Sequence, residues 1–230
     1  MAREYSLLIF DWDGTLIDSE ANIVFCMRAT IQELDLPDLS ASEIRNVIGL
    51  GLREAICTLY PAQGEDIHLD FIDRYRYHFL SSDPSTPFAG VDQLLSQLSE
   101  SNYLMAVATG KGRVGLERAL DQTNYRRHFH STRCADETRS KPHPQMLEEI
   151  LDELGLEPAD ALMIGDTEYD LQMAKHIKMD SVGVCTGVHE EARLRNCDPV
   201  ACLPSALDLI EFLNGENEAQ NLQQPARPVL

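Results

Sequence analysis

The sequence predicts an α/β fold, a parallel sheet with helices on both faces and a small all-helical block inserted after the first strand. Three observations predict it. From about residue 90 onward, short apolar runs of strand length alternate with segments of helical periodicity, the pattern of repeated βαβ units. A first apolar run, Leu7-Leu8-Ile9-Phe10, is separated from the others by residues 16–84, which show helical spacing and no convincing strand. The leading runs end in acids, a hydroxyl or glycines, as strands do where a parallel sheet opens onto a crevice.

Leu7–Phe10 reads as a fully buried strand that runs straight into Asp11-Trp12-Asp13-Gly14-Thr15. A buried carboxylate without a partner is costly, so both acids belong at the strand's carboxyl end. Extended backbone points residues i and i+2 the same way, and two like charges aimed at one spot call for a cation or a retained proton.

Ile23, Met27, Ile31 and Leu34 then fall at helical spacing until Pro37 stops the run. Ser40 with Glu43 forms a capping-box pattern that opens a second helix ending near Gly49. Two more helices are expected, from Leu52 to Leu59 and from Ile67 to Leu80. The stretch Ser81–Pro87 is rich in turn formers and reads as a hinge.

Leu94, Leu95 and Leu98 mark the next helix, and Tyr103–Ala108 is a buried strand ending at Thr109-Gly110. A helix over 113–122, a weak strand near His128–Ser131 and a helix from Pro144 to Leu154 follow, the last closed by Gly155. Ala161–Ile164 is a strand ending in Gly165-Asp166, and strands over 181–185 and 200–203 complete the set. The chain thus divides into a core of residues 1–15 and 85–213, a helical block of 16–84, and a tail of 214–230. The tail is rich in Asn, Gln, Glu and Pro and is expected to be disordered.

With 230 residues, 43% of them hydrophobic and 25% charged, the chain has the composition of a soluble protein with a sizeable core. The 19 Lys and Arg against 38 Asp and Glu leave a formal charge of -19, which argues against nucleic acid or an anionic membrane as partner. An anionic small substrate is still admissible, because local bases and a divalent cation can reverse the field of one site. The six cysteines include no CxxC pair and read as reduced thiols of a cytosolic protein. No secretory signal and no stretch of membrane-spanning length is visible, so the expected location is the cytoplasm. Oligomeric state is not indicated.

In a parallel sheet every carboxyl end lies on one edge, so the groups that follow the strands converge. They are Asp11 and Asp13, Thr109-Gly110, and Gly165-Asp166 with Asp170 four residues on; Ser140-Lys141-Pro142 precedes the helix that leads to Asp166. A hydroxyl, an ammonium and several carboxylates in one mouth suit a phosphoryl group together with a hard divalent cation.

Asp11-Trp12-Asp13-Gly14-Thr15, Thr109, Lys141 and Gly165-Asp166-Thr167-Glu168-Tyr169-Asp170 resemble, in order, the four motifs of the haloacid dehalogenase-like (HAD) superfamily. The resemblance covers residues 6 to about 210 and implies a Rossmann-like core, with the helical block as the small cap of the phosphoglycolate-phosphatase-like branch. It implies Asp11 as nucleophile and Asp13 as general acid and base. It also implies Mg2+ held by the Asp11 side chain, the Asp13 backbone carbonyl and Asp166, with Asp170 supporting that shell. Thr109, Gly110 and Lys141 would bind phosphoryl oxygens, Thr109 and Lys141 being catalytic as well.

Within the family resembled, an acid at position 13 implies phosphate esters over carbon–halogen bonds, and the absence of lysine from residues 16–84 sets the chain apart from relatives that cleave phosphonates through a Schiff-base lysine in the cap. The implied substrate is a small phosphorylated metabolite, 2-phosphoglycolate or a similar phosphomonoester. The cap stretch Gly49-Leu50-Gly51-Leu52-Arg53 resembles that of phosphoglycolate phosphatases, with Gly49 and Gly51 allowing close backbone approach and Arg53 pairing with a carboxylate. Arg28, Arg45, Arg74 and Arg76 are other candidate cap contacts.

Two rival readings stand beside this one. A phosphosugar mutase shares the core and differs in the cap. Separately, Gly110-Lys111-Gly112-Arg113-Val114-Gly115 matches G-x-G-x-x-G after a strand and before a helix, the context of a dinucleotide-binding oxidoreductase. That motif leaves Asp11, Asp13, Lys141 and Asp166 without a role.

Overall fold

Strand β1 (Leu7–Phe10) has no exposed residue, because it lies in the middle of its sheet with helices on either side. The computed structural model describes residues 5–82 and 84–221. Its larger sheet is built from β1, β4 (Leu104–Thr109), β5 (Ser131–Cys134), β6 (Ala161–Gly165), β7 (Asp180–Val184) and β8 (Ala201–Leu203). The order is β5-β4-β1-β6-β7-β8, and every neighbouring pair is parallel.

Side chains of β1 alternate between two cores, as a period of two requires. Leu8 and Phe10 pack with Leu94 and Leu98 of α5 (Val91–Glu100), Leu116 of α6 (Arg113–Thr123) and Leu213 of α10 (Leu209–Asn221). Leu7 and Ile9 pack with Leu147 and Ile150 of α7 (Gln145–Leu154) and Met173 of α8 (Glu168–His176). Each of these buried aliphatic side chains contributes about 1.5–3 kcal/mol relative to exposure. A run of four apolar residues without polar alternation is therefore what a strand covered on both faces needs.

The register aligns the carboxyl ends. Phe10 stands opposite Val107 on one side and Ile164 on the other. The chain moves from β1 outward to β4 and β5, then returns past β1 to β6, so the strand order reverses at β1. A crevice opens at such a reversal, and Asp11 begins on its floor.

The inserted block comprises α1 (Glu20–Glu33), α2 (Ala41–Arg45), α3 (Leu52–Leu59) and α4 (Glu65–Ser81). It has its own apolar cluster, including Met27, Ile31, Ile44, Ile56, Tyr60 and Phe71. The capping box forms as the spacing predicts: Glu43 N–H donates to Ser40 Oγ at 3.2 Å, and Ser40 N–H donates to Glu43 Oε2 at 2.8 Å.

Three expectations are corrected. Residues 16–84 do contain a strand, β2 (Ile17–Asp18), which pairs antiparallel with β3 (Thr86–Pro87) and joins the two chain crossings at the base of the block. Two residues carry no periodicity, so the pairing is visible only in space. The weak strand expected near His128–Ser131 begins at Ser131 instead, after a 3-10 turn over Arg126–His128. It is an edge strand with one neighbour, and its polar residues give little apolar signal. Helix α10 continues to Asn221, into the segment expected to be disordered from 214; residues 222–230 lie outside the described ones. No helix among the described residues is long and apolar enough to cross a membrane.

Candidate active site

Lys141 is fully buried between two acids. Its Nζ lies 2.8 Å from Asp11 Oδ1 and 2.6 Å from Asp170 Oδ1. Asp11 follows β1, Lys141 comes from the loop before α7, and Asp170 lies in the first turn of α8. Each carboxylate is fixed further. Asp11 Oδ1 accepts the Trp12 N–H at 2.7 Å, and Asp170 Oδ2 accepts the Thr167 hydroxyl at 2.6 Å. Asp166 completes the group, accepting the Thr15 hydroxyl at 3.0 Å and the Val188 N–H at 3.0 Å.

Carboxylate oxygens of Asp11, Asp166 and Asp170 lie within 4.8 Å of one another, all buried. One ammonium cannot neutralise three acids. Burial pushes Asp11 well above the ordinary carboxylate range, and Asp170 and Asp166 add to this against the opposing pull of Lys141. Burial, then Asp170, pushes Asp166 up to about 7. Burial alone would lower the Lys141 ammonium, but the Asp11 and Asp170 charges outweigh it and the net shift is upward.

Asp11 Oδ2 is buried and has no hydrogen-bond partner among the described residues. An orphaned oxygen in an all-oxygen, over-acidic cluster fits a hard divalent cation such as Mg2+. Asp11 and Asp166 are the members best placed to hold one, since Lys141 and Thr167 already occupy both oxygens of Asp170.

Asp13 takes a different partner. Its Oδ2 lies 2.9 Å from Lys111 Nζ, which also stands 4.3 Å from the centre of the Phe79 ring on α4. Lys111 N–H donates to Thr109 Oγ1 at 3.1 Å, so the Thr109 oxygen closes the turn while its own proton stays available to a ligand. Asp11, Asp13, Thr109, Gly110 and Lys111 all line one cavity of about 710 Å3 between the sheet edge and the helical block.

The block is seated on the core by polar contacts. Gly51 N–H donates to Ser140 Oγ at 2.7 Å, and the Tyr169 hydroxyl donates to the Asn46 carbonyl at 2.6 Å. Arg193, on α9 (Glu191–Arg195), donates to Asn46 Oδ1 at 2.7 Å. The approach is close at two glycines. A Cβ on Gly110 would stand 2.5 Å from the Leu50 carbonyl oxygen, and one on Gly49, where φ is +102°, would stand 2.9 Å from Thr167 Oγ1.

The structure therefore brings together Asp11, Asp13, Thr109, Gly110, Lys141, Asp166 and Asp170, with Gly49 lining the same cavity and Gly51 seated on Ser140. Arg53 lines the cavity but is held by Glu65 at 2.5 Å. Of the other cap arginines Arg76 also lines the cavity, whereas Arg45 pairs with Glu20 and Arg74 with Glu33. The first glycine of the G-x-G-x-x-G stretch is covered by cap backbone, and Gly112 caps α6. Gly110 thus has a role in seating the block and Gly112 one in starting a core helix.

Lys111 was missed in the sequence as a site residue, although it sits inside that motif. Ser140 and Thr167 stand in the sequence only as motif neighbours. The signal is position: Lys111 follows a strand's carboxyl end, Thr167 adjoins the motif acid Asp166 and Ser140 adjoins the motif lysine Lys141.

A family model described as haloacid dehalogenase-like hydrolase matches residues 8–184. "Probable phosphatase IndB" of Dickeya dadantii is 33% identical over 199 residues, covering 84% of this chain and 86% of that protein. N-acetylmuramic acid 6-phosphate phosphatase of Pseudomonas aeruginosa is 27% identical, covering 80% of this chain and 84% of that one. Phosphoglycolate phosphatase of Agrobacterium fabrum is 27% identical, covering 79% and 81% respectively. The crystal structure of a hydrolase from Pseudomonas syringae has a TM-score of 0.84 at 21% identity, over 92% of this chain and 98% of that one.

Proposed function

This chain belongs to the haloacid dehalogenase-like hydrolase family, and we propose that it is a Mg2+-dependent phosphatase of small phosphorylated metabolites working through an aspartyl-phosphate on Asp11. The observation that carries this reading is the state of Asp11. One oxygen is pinned by Lys141 and the Trp12 N–H, and the other has no partner among the described residues. Phosphatases among the relatives support the class of reaction.

In the first step Asp11 attacks phosphorus and the phosphorus–oxygen bond to the alcohol breaks. Asp13 gives its proton to the departing alkoxide. In the second step Asp13 takes a proton from water, which attacks phosphorus and cleaves the acyl-phosphate, restoring Asp11 and releasing inorganic phosphate. Lys141 offsets the negative charge that gathers at Asp11 when an anionic ester approaches. Thr109 and the N–H groups after it bind the phosphoryl oxygens. Mg2+, held by Asp11, the Asp13 backbone carbonyl and Asp166, would supply further charge neutralisation at the phosphoryl group. Asp170 positions Lys141, and the Thr167 hydroxyl positions Asp170 in turn.

The six cysteines are unpaired, and we place the enzyme in the cytoplasm. Gly49 and Arg53 line the substrate side of the cavity, and Gly51 holds the stretch between them on Ser140. 2-Phosphoglycolate is the reference compound, and a relative is named for its hydrolysis.

Phosphate release from a panel of phosphomonoesters, with Mg2+ and with chelator, tests the reading. Metal-dependent release that vanishes in Asp11→Asn supports it. Equal release by Asp11→Asn overturns it, and an isomerised ester without free phosphate indicates a mutase.

A further inference from the structure

We propose, resting on the phosphatase reading above, that the natural ester carries an uncharged, ring-sized alcohol and not a second carboxylate. The cavity's size, its lining and its ion pairs point the same way.

The cavity measures about 710 Å3 while the block is seated on the core through Gly51, Asn46 and Phe79. Pockets of roughly 300–1,000 Å3 enclose drug-sized ligands, so a two-carbon acid would leave most of this space to water. The cavity lining includes an apolar set, Leu50, Leu52, Leu69 and Leu80 with the rings of Tyr75 and Phe79. Such a surface gains by covering the face of a ring and gains nothing from a short anion.

Among the described residues, the cations of the wall all stand beside an acid. Three cations line it, and each already faces an acid: Arg53 with Glu65 at 2.5 Å, Arg76 with Asp136 at 3.9 Å and Lys111 with Asp13 at 2.9 Å. Glu54 and Asp73 line the same wall and add negative charge. A carboxylate entering here would compete with Glu65 for Arg53 and meet the negative charge of Glu54 and Asp73. A neutral alcohol meets neither obstacle. Because Arg53 and Glu65 are each about half exposed, at 53% and 55%, their pair can be opened by mutation without disturbing the core.

The test is kcat/KM of the Mg2+-loaded full chain on esters of primary alcohols: 2-phosphoglycolate, glycerol phosphate, 2-phenylethyl phosphate, a hexose 6-phosphate and a ribonucleoside 5′-phosphate. At least one ring-bearing neutral ester should lead 2-phosphoglycolate by about tenfold or more. Glu65→Gln, which frees Arg53, should raise kcat/KM for 2-phosphoglycolate by roughly threefold to tenfold. A lead for 2-phosphoglycolate or glycerol phosphate overturns the inference, as does a Glu65→Gln variant with no gain on 2-phosphoglycolate. Absence of turnover on every ester overturns the phosphatase reading itself, so the two failures are distinct.

Discussion

Lys111 Nζ stands 2.9 Å from Asp13 Oδ2, so the residue assigned to proton transfer is held by a cation from the neighbouring strand's end. The same ammonium rests on the cap's Phe79 ring. One side chain therefore ties the acid on the core to the helical block that covers it. Replacing it with an uncharged chain, Lys111→Met, should leave Asp13 misplaced and lower kcat by roughly 10²-fold, with Lys111→Arg recovering part of the loss. Steady-state kinetics of the three proteins, with Mg2+ saturating, checks this.

Lys141→Met leaves Asp11, Asp166 and Asp170 buried without their cation. Breaking a buried pair from one side costs about 3–5 kcal/mol. Urea unfolding at neutral pH in chelator should show a loss of that order. The deficit should shrink on acidification, as Asp11 and Asp166, whose carboxyls are raised, take up protons.

The sign of the pH dependence follows from Asp166. Its carboxyl is at about 7 in the folded protein and at its ordinary 3.8 when unfolded. Between these values the folded chain holds a proton that the unfolded chain has lost, so its contribution to stability disappears as pH rises through about 7. In chelator, Asp166→Asn should be the more stable protein at pH 8 and less pH-dependent than the parent. Added Mg2+ should stabilise the parent increasingly over that rise and the variant little. Melting temperatures in chelator and in Mg2+, from about pH 5 to pH 8, decide it.

Gly110→Ala places a Cβ 2.5 Å from the Leu50 carbonyl oxygen and 2.6 Å from that of Gly49. Both are backbone atoms and cannot rotate away, so the loop above must lift. A displacement of about an ångström at a reacting centre costs up to roughly 10²-fold in rate. The expected result is a raised KM and a lowered kcat with an unchanged far-UV circular dichroism spectrum.

Much of the site was legible because its residues interrupt strong patterns. Asp11 and Asp166 follow runs that only a doubly covered strand explains, and an acid there must stand at the open edge. The Ser40–Glu43 capping box was legible for a similar reason, being local and fixed in spacing. Lys111 was not, because a lysine in a glycine-rich loop is ordinarily solvated and nothing local announces Asp13 as its partner. Arg53 was legible as a residue but its ion pair was not, since Glu65, which holds it, begins a different helix.

The sequence by itself determined the six strands of the larger sheet, the helices up to Leu154 and the chemistry that follows β1, β4 and β6, because burial periodicity and the cost of an unpaired charge act within a few residues. Tertiary structure alone decided which charges meet. Lys141 spans Asp11 and Asp170, Lys111 reaches Asp13, and Glu65 takes Arg53, all across wide gaps in the chain. Coulomb interactions depend on distance in space, and the volume left under a seated cap depends on how two packed bodies meet. Neither is written in the spacing of residues along one chain.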